Sequence, residues 1–185
     1  LNLAEHVGDN LSRVAQSRAA LKAFLSLPTE PNWLEQVHGS KVLPYANSDK
    51  PPISDGQFTD KANQVCAILT ADCLPILICA KNQPWVAALH AGWRGLAAGI
   101  IEAGVGQSPV AAEELLVWLG PAIGPEAFVV GPEVREIFLK NDLQAQVAFQ
   151  AKADKWLANI YQLACQRLQA LGVQQIYGGA FCTYS

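Results

Sequence analysis

Between Thr70 and Gly95 the chain reads TADCLPILICAKNQPWVAALHAGWRG. Its two apolar runs, Leu74 to Cys79 and Trp85 to Leu89, are too short for independent helices and are parted by a turn residue at Asn82. Runs of that length bounded by polar breaks read as buried strands. With Val65 to Thr70 (VCAILT) as a further strand, this region commits the chain to a sheet. The breaks carry the reactive side chains. Cys73 lies between two runs, and His90 lies where a strand gives way to a glycine turn.

Elsewhere the pattern alternates helix and strand. Asp9 to Leu25 reads as a helix, with Val14, Arg18, Leu21 and Leu25 at three- and four-residue steps, Asn10 or Asp9 as cap, and Pro28 and Pro31 beyond its end. Asn32 to Val42 reads as extended chain. Pro44 to Lys61 reads as a loop, because Pro51, Pro52, Asp55 and Gly56 are turn formers. A helix is expected from about Leu96 to Val105. Glu113 to Leu119 leads through a strand into the rigid GPAIGP loop. Val129 to Phe138 opens a helix at Pro132. Asp154 to Leu171 reads as an amphipathic helix stopped by Gly172, and Val173 to Tyr177 as a last strand.

Composition narrows the functional classes. Half the chain (51%) is apolar and only 16% is charged, which excludes a disordered chain. A net charge of −3 with no Lys/Arg run leaves no nucleic-acid footprint. No apolar stretch approaches the roughly 20 residues of a membrane helix, and LNLAEHVGDN lacks the basic start and apolar run of a signal peptide. Five cysteines without a CxxC pair fit neither a disulfide framework nor a four-cysteine zinc knot. Cys66, Cys79 and Cys165 are expected to be buried thiols in a reducing, cytoplasmic setting.

His38 in EQVHGSKV is the third soft ligand beside Cys73 and His90. Two imidazoles and a thiolate suit a borderline cation, and a three-ligand site keeps an open position for a reactant. The same residues leave two alternatives. Cys73 and His90 would also serve as a metal-free nucleophile and base, and a His-His-Cys set also suits copper. The copper reading lacks an axial thioether, since the chain has no Met, and three histidines are too few for several coppers. HAGWRG joins a strand end to a helix start, so Arg94 and the Gly95 backbone are a candidate anion cradle; a turn with Arg94 paired to an acid is the other reading. Asp72 is either a proton shuttle or a turn cap.

EQVHGSKV, TADCLPILIC and ALHAGWRGLAAGI resemble the YfiH-type laccase-domain proteins, a family described as polyphenol oxidases, as purine nucleoside phosphorylases and as peptidoglycan editing factors. The resemblance continues through LNLAEHVGDN, GPAIGPEAFVVGPEV and RLQALGVQQIYGGAFCTYS, nearly the whole chain. It implies an α+β fold, one domain over 1–185 with a mixed sheet flanked by helices, distantly shared with toxin deamidases that use a Cys–His pair. It implies a cytoplasmic zinc enzyme, with copper as a second metal, that cleaves adenosine, inosine, guanosine or methylthioadenosine with phosphate and also deaminates adenosine. His38, Cys73 and His90 would be metal ligands and catalytic residues. Arg18 matches a position near the phosphate, with Ser17 in place of the usual Asn, and Asn2 matches a residue near the pocket. Relative to that family the chain begins inside the opening motif and stops before a Ser-Tyr-Arg and Thr-Gly-Arg tail, and Val129 stands where a Glu is common. A Cys73-dependent amidase acting on cell-wall precursors is the alternative activity.

Overall fold

Strand β4 (Val86–Ala91) is central to the sheet, and every residue from Ala87 to Ala91 is buried. It pairs antiparallel with β3 (Leu74–Ala80) on one side and β2 (Gly56–Thr59) on the other. Strand β1 (Val42–Pro44) adds parallel to β2; β5 (Leu115–Leu119) adds antiparallel to β3, and β9 (Gln175–Gly178) parallel to β5. The order β1-β2-β4-β3-β5-β9 is therefore a mixed six-stranded sheet. A second sheet, β6 (Val129–Val130), β8 (Lys155–Ala158) and β7 (Phe149–Lys152), is antiparallel throughout. This is a computed structural model, and it describes residues 2–48 and 50–185. The α+β architecture with a mixed sheet and flanking helices is the one the sequence implied.

Period-two alternation decides which sheet face is the core. On β3, Leu74, Ile76 and Ile78 are buried; on β5, Leu115, Val117 and Leu119 are. Helices α3 (Ile100–Val105) and α5 (Ile160–Ala170) cover that face with Ile100, Ile101, Ile160, Ala164 and Leu168. The opposite face leaves Leu77, Trp118 and Tyr177 exposed. Helix α1 (Leu11–Phe24) is peripheral: Asn10 caps it by accepting from the Ser12 and Arg13 N–H groups, but only Val14 is fully buried. Helix α4 (Pro132–Asn141) opens at Pro132, as expected, and buries Val134 and Phe138. No helix among the described residues is long and apolar enough to cross a membrane.

Five sequence expectations are corrected. Val65 to Thr70 is not a strand, because side chains satisfy its backbone. Gln36 donates to the Leu69 carbonyl at 2.8 Å and accepts from its N–H at 2.7 Å, while Gln57 donates to the Ala67 carbonyl at 2.6 Å. Conversely, the expected loop of residues 44–61 contains β2, whose polar GQFT sequence hides a central buried strand. The helix expected over Leu96 to Val105 is two helices, α2 (Trp93–Ala97) and α3, broken at Gly99 with φ +94°, a left-handed turn glycine adopts without strain. Helix α5 starts at Ile160, not Asp154; Trp156 and Leu157 pair with β6 and β7, and the Asn159 side chain caps the later start by accepting from Gln162 N–H. The cysteines are all free, and Cys66, Cys79 and Cys165 are half-buried rather than buried; burial pushes the Cys66 thiol up to about 12.

One buried hydroxyl ties α5 to the loop after β5. Tyr161 accepts from Ala122 N–H at 2.7 Å and donates toward the carbonyls of Phe181, at 2.6 Å, and Gly120. Tyr161→Phe orphans the buried Ala122 N–H, so denaturant unfolding is expected to show a loss of about 1–3 kcal/mol.

Candidate metal centre

Four segments deliver residues to one end of the main sheet. Cys73 immediately precedes β3, and His90 is the next-to-last residue of β4; Leu74 lies opposite Ala91 and Pro75 opposite His90. Asp55 immediately precedes β2, and His38 sits in the loop leading to β1. Antiparallel pairing of β3 with β4 thus brings Cys73 and His90 together although 17 positions separate them in the numbering. One ligand atom from each of His38, Cys73 and His90 lies within 4.8 Å of the others. The two imidazoles meet edge to face, with centroids 4.8 Å apart at 74°.

Asp55 builds this cluster, and its side chain is fully buried. Its Oδ2 accepts from Val37 N–H at 3.1 Å and Gly39 N–H at 2.7 Å; its Oδ1 accepts from His38 N–H at 2.9 Å and lies 2.8 Å from His90 Nδ1. Three successive backbone donors wrapped on one anion form a nest. That wrapping holds His38 at φ +59°, a left-handed conformation costing a non-glycine residue about 1–3 kcal/mol. The hydrogen bonds from the nest offset the strain.

Glycine removes the obstacle between the clustered side chains. A Cβ on Gly92 would stand 2.9 Å from Cys73 Sγ and 3.1 Å from His38 Cδ2. A Cβ on Gly95 would meet the Gly39 carbonyl at 2.6 Å, so helix α2 packs directly on the His38–Gly39 turn. Gly95 is thus a packing position in this structure.

The cluster opens into a cavity of about 620 Å³. Asn2, Leu3, Ala4, His6 and Val7 form one wall, Leu69 to Cys73 another, with Gln36, His38 and His90 completing it. The volume lies in the range of small-molecule sites. Of the residues singled out in the sequence, Asn2, His38, Asp72, Cys73 and His90 are brought to this cavity and Arg18, Arg94 and Gly95 are not. Arg18 lines a neighbouring cavity of about 440 Å³ with Trp33 and Tyr45. Its Nε–H donates to the Leu3 carbonyl at 2.9 Å, Nη1 pairs with Glu5 at 2.8 Å, and the guanidinium stacks 4.2 Å over Trp33. It braces the wall through Leu3. Arg94 is exposed and stacks on Trp93 at 4.4 Å. Asp72 accepts from the Thr183 hydroxyl at 2.6 Å, so it anchors the C-terminal segment beside the cluster.

Sequence reading missed Asp55, His6 and Gln36. Asp55-Gly56 carries the signature of a turn, and nothing local distinguishes an aspartate that caps a turn from one that accepts four hydrogen bonds.

The donor set fits a small borderline cation. Tetrahedral zinc with two imidazoles and a thiolate needs donor separations of about 3.3–3.6 Å, within reach of a cluster this tight. Burial, reinforced by the charges of Asp72 and Asp55, raises the Cys73 thiol above its ordinary value, with Arg94 pulling the other way. Burial also lowers His90, against the pull of Asp55, so its ring is neutral at neutral pH. Neutral imidazole is the ligating form.

A family described as multi-copper polyphenol oxidoreductase laccase matches residues 1–185. The chain belongs to that laccase-domain family, the one that includes YfiH. A protein named purine nucleoside phosphorylase YfiH from Escherichia coli K12 is 50% identical over 190 residues, all of this chain and 76% of the relative. A purine nucleoside phosphorylase of Haemophilus influenzae is 45% identical over 187 residues, covering all of this chain and 77% of the relative. The crystal structure of a Neisseria meningitidis protein superposes with a TM-score of 0.94 at 38% identity, over 98% of this chain and 75% of that one. YlmD from Geobacillus stearothermophilus gives 0.89 at 30% identity, over 98% and 74%.

Two outcomes test the centre. Gly92 has φ −61° and ψ 157°, which alanine adopts freely, so the cost of Gly92→Ala is confined to moving Cys73 and His38 away from the new Cβ, about 1–3 kcal/mol by denaturant unfolding. The substitution should weaken zinc binding, measured by chelator competition, about tenfold or more, because the Cβ separates Cys73 from His38. Ligation needs the thiolate, and the Cys73 pKa lies above the ordinary 9.0. Zinc affinity is therefore expected to fall with falling pH, by about tenfold per unit between pH 9 and 7, with one proton released per zinc bound.

Proposed function

We propose that this chain carries the active site of a zinc-dependent purine nucleoside phosphorylase. The observation that carries the reading is a His38–Cys73–His90 cluster opening into a nucleoside-sized cavity. It sits in a chain 45–50% identical, along its whole length, to proteins named for that activity.

In phosphorolysis a phosphate oxygen bonds to the ribose anomeric carbon as the bond to the purine nitrogen breaks. Positive charge builds on the sugar, and negative charge on the leaving base. Zinc, when bound, would supply Lewis-acid polarisation. His38, Cys73 and His90 would hold it, and Asp55 positions two of those three. The walls from Asn2 to Val7 and from Leu69 to Cys73 enclose the reactants and displace water, which strengthens the electrostatics inside. Asn2 faces the cavity while its side chain bonds to Ala4 and Asp9, which fixes the bend of that wall. Arg18 supports the same wall through the Leu3 carbonyl. Adenosine deamination is the accompanying activity, with water in place of phosphate as nucleophile and C6 of the purine as target.

The residue inventory disfavours a multicopper reading. A multicopper oxidase needs several imidazole-rich sites, whereas the chain has three histidines, and among the described residues His38, Cys73 and His90 form the one group able to hold a metal.

Purified protein is expected to convert adenosine and phosphate to adenine and ribose 1-phosphate, and to yield inosine when phosphate is withheld. Cys73→Ala is expected to lose zinc by elemental analysis and at least about a hundredfold in kcat/KM. Full phosphorolysis by the zinc-free variant would remove the metal from the reaction.

A further inference from the structure

We infer that Asp55 is a positioning residue that selects which nitrogen of His90 carries the proton, leaving Nε2 bare toward Cys73 and His38. A carboxylate accepts hydrogen bonds and donates none. Both oxygens of Asp55 already face backbone donors, Oδ2 two of them and Oδ1 the His38 N–H. The remaining contact, His90 Nδ1 at 2.8 Å from Oδ1, is therefore made by an Nδ1–H. Asp55 also fixes the backbone of His90, whose N–H donates to the Asp55 carbonyl at 2.7 Å. Ring and main chain are held by the same residue, so the imidazole has neither a free tautomer nor a free rotation.

The same oxygen, Oδ1, receives His38 N–H and His90 Nδ1–H. One carboxylate thus sets the strained backbone of one ligand and the proton of the other. An amide in its place must choose. In Asp55→Asn the side-chain oxygen would stay where two fixed backbone donors, Val37 and Gly39, point. The new NH2 would then face the former partners of Oδ1. The backbone N–H of His38 cannot adapt, but His90 can, by moving its proton to Nε2 and accepting at Nδ1. That tautomer has no lone pair for a metal at Nε2. A purely structural Asp55 would tie down the His38 turn without controlling the His90 proton.

The tautomer assignment is independent of the reaction; its consequence for metal affinity rests on the zinc reading above. The test is ring 15N NMR of the metal-free full chain at about pH 7.5, with His90 assigned by loss of its signals in His90→Gln. Wild type is expected to show Nδ1 protonated and Nε2 bare, and Asp55→Asn the reverse. Zinc affinity of Asp55→Asn, by chelator competition, is expected to fall about 10- to 100-fold. An Nε2–H wild type overturns the inference, and so does an Asp55→Asn protein that keeps the proton on Nδ1. If Asp55→Asn does not fold, the wild-type spectrum alone decides by the same criterion. Wild-type protein that takes up no zinc would sink the metal reading, while the spectrum still decides the tautomer.

Discussion

A single carboxylate, fully buried, holds the functional end of this molecule together. Burying an unpaired charge is prohibitive, so Asp55 exists inside only because four donors converge on it. Each donor belongs to something that needs placing: three to the turn carrying His38, one to the ring of His90. The dependence is mutual. The left-handed His38 would relax without the anion, and the anion would be unstable without the turn. Strain, charge and ligand geometry therefore stand or fall as one unit.

The sheet supplies the rigidity that such a unit requires. Asp55, Cys73 and His90 all lie at strand termini, where the backbone is fixed by ladder hydrogen bonds on one side and free to expose a side chain on the other. The cavity is completed by less regular chain. The opening segment is braced by Arg18 through Leu3, residues 65–70 are held by Gln36 and Gln57, and the C-terminal residues are pinned through Thr183 on Asp72.

What was legible followed from local physics. Leu74 to Cys79 and Val86 to Leu89 became strands because apolar runs that short, bounded by polar breaks, leave few options, and Asn10 and Gly172 bounded helices through capping chemistry. His38, Cys73 and His90 were legible by residue type and by resemblance. The failures share a cause: long-range partners overrode local preference. Gln36 and Gln57 took the backbone bonds of residues 65–70 that a neighbouring strand would have taken. β6 and β7 captured Trp156 and Leu157 from a helical pattern. Polar GQFT became an interior strand because buried Gln57 found hydrogen-bond partners in Asn32 and Ala67.

By itself the sequence determined the apolar runs of β3 and β4 and the caps at Asn10 and Gly172, because each depends on neighbours within a few residues. Only the tertiary structure decided that Asp55 is the anchor and not a turn residue, that Arg18 supports a wall instead of facing the cavity, and that Gly92 must lack a side chain. Those roles are relations between groups far apart along the chain, and a linear pattern contains no term for what folding places across from it.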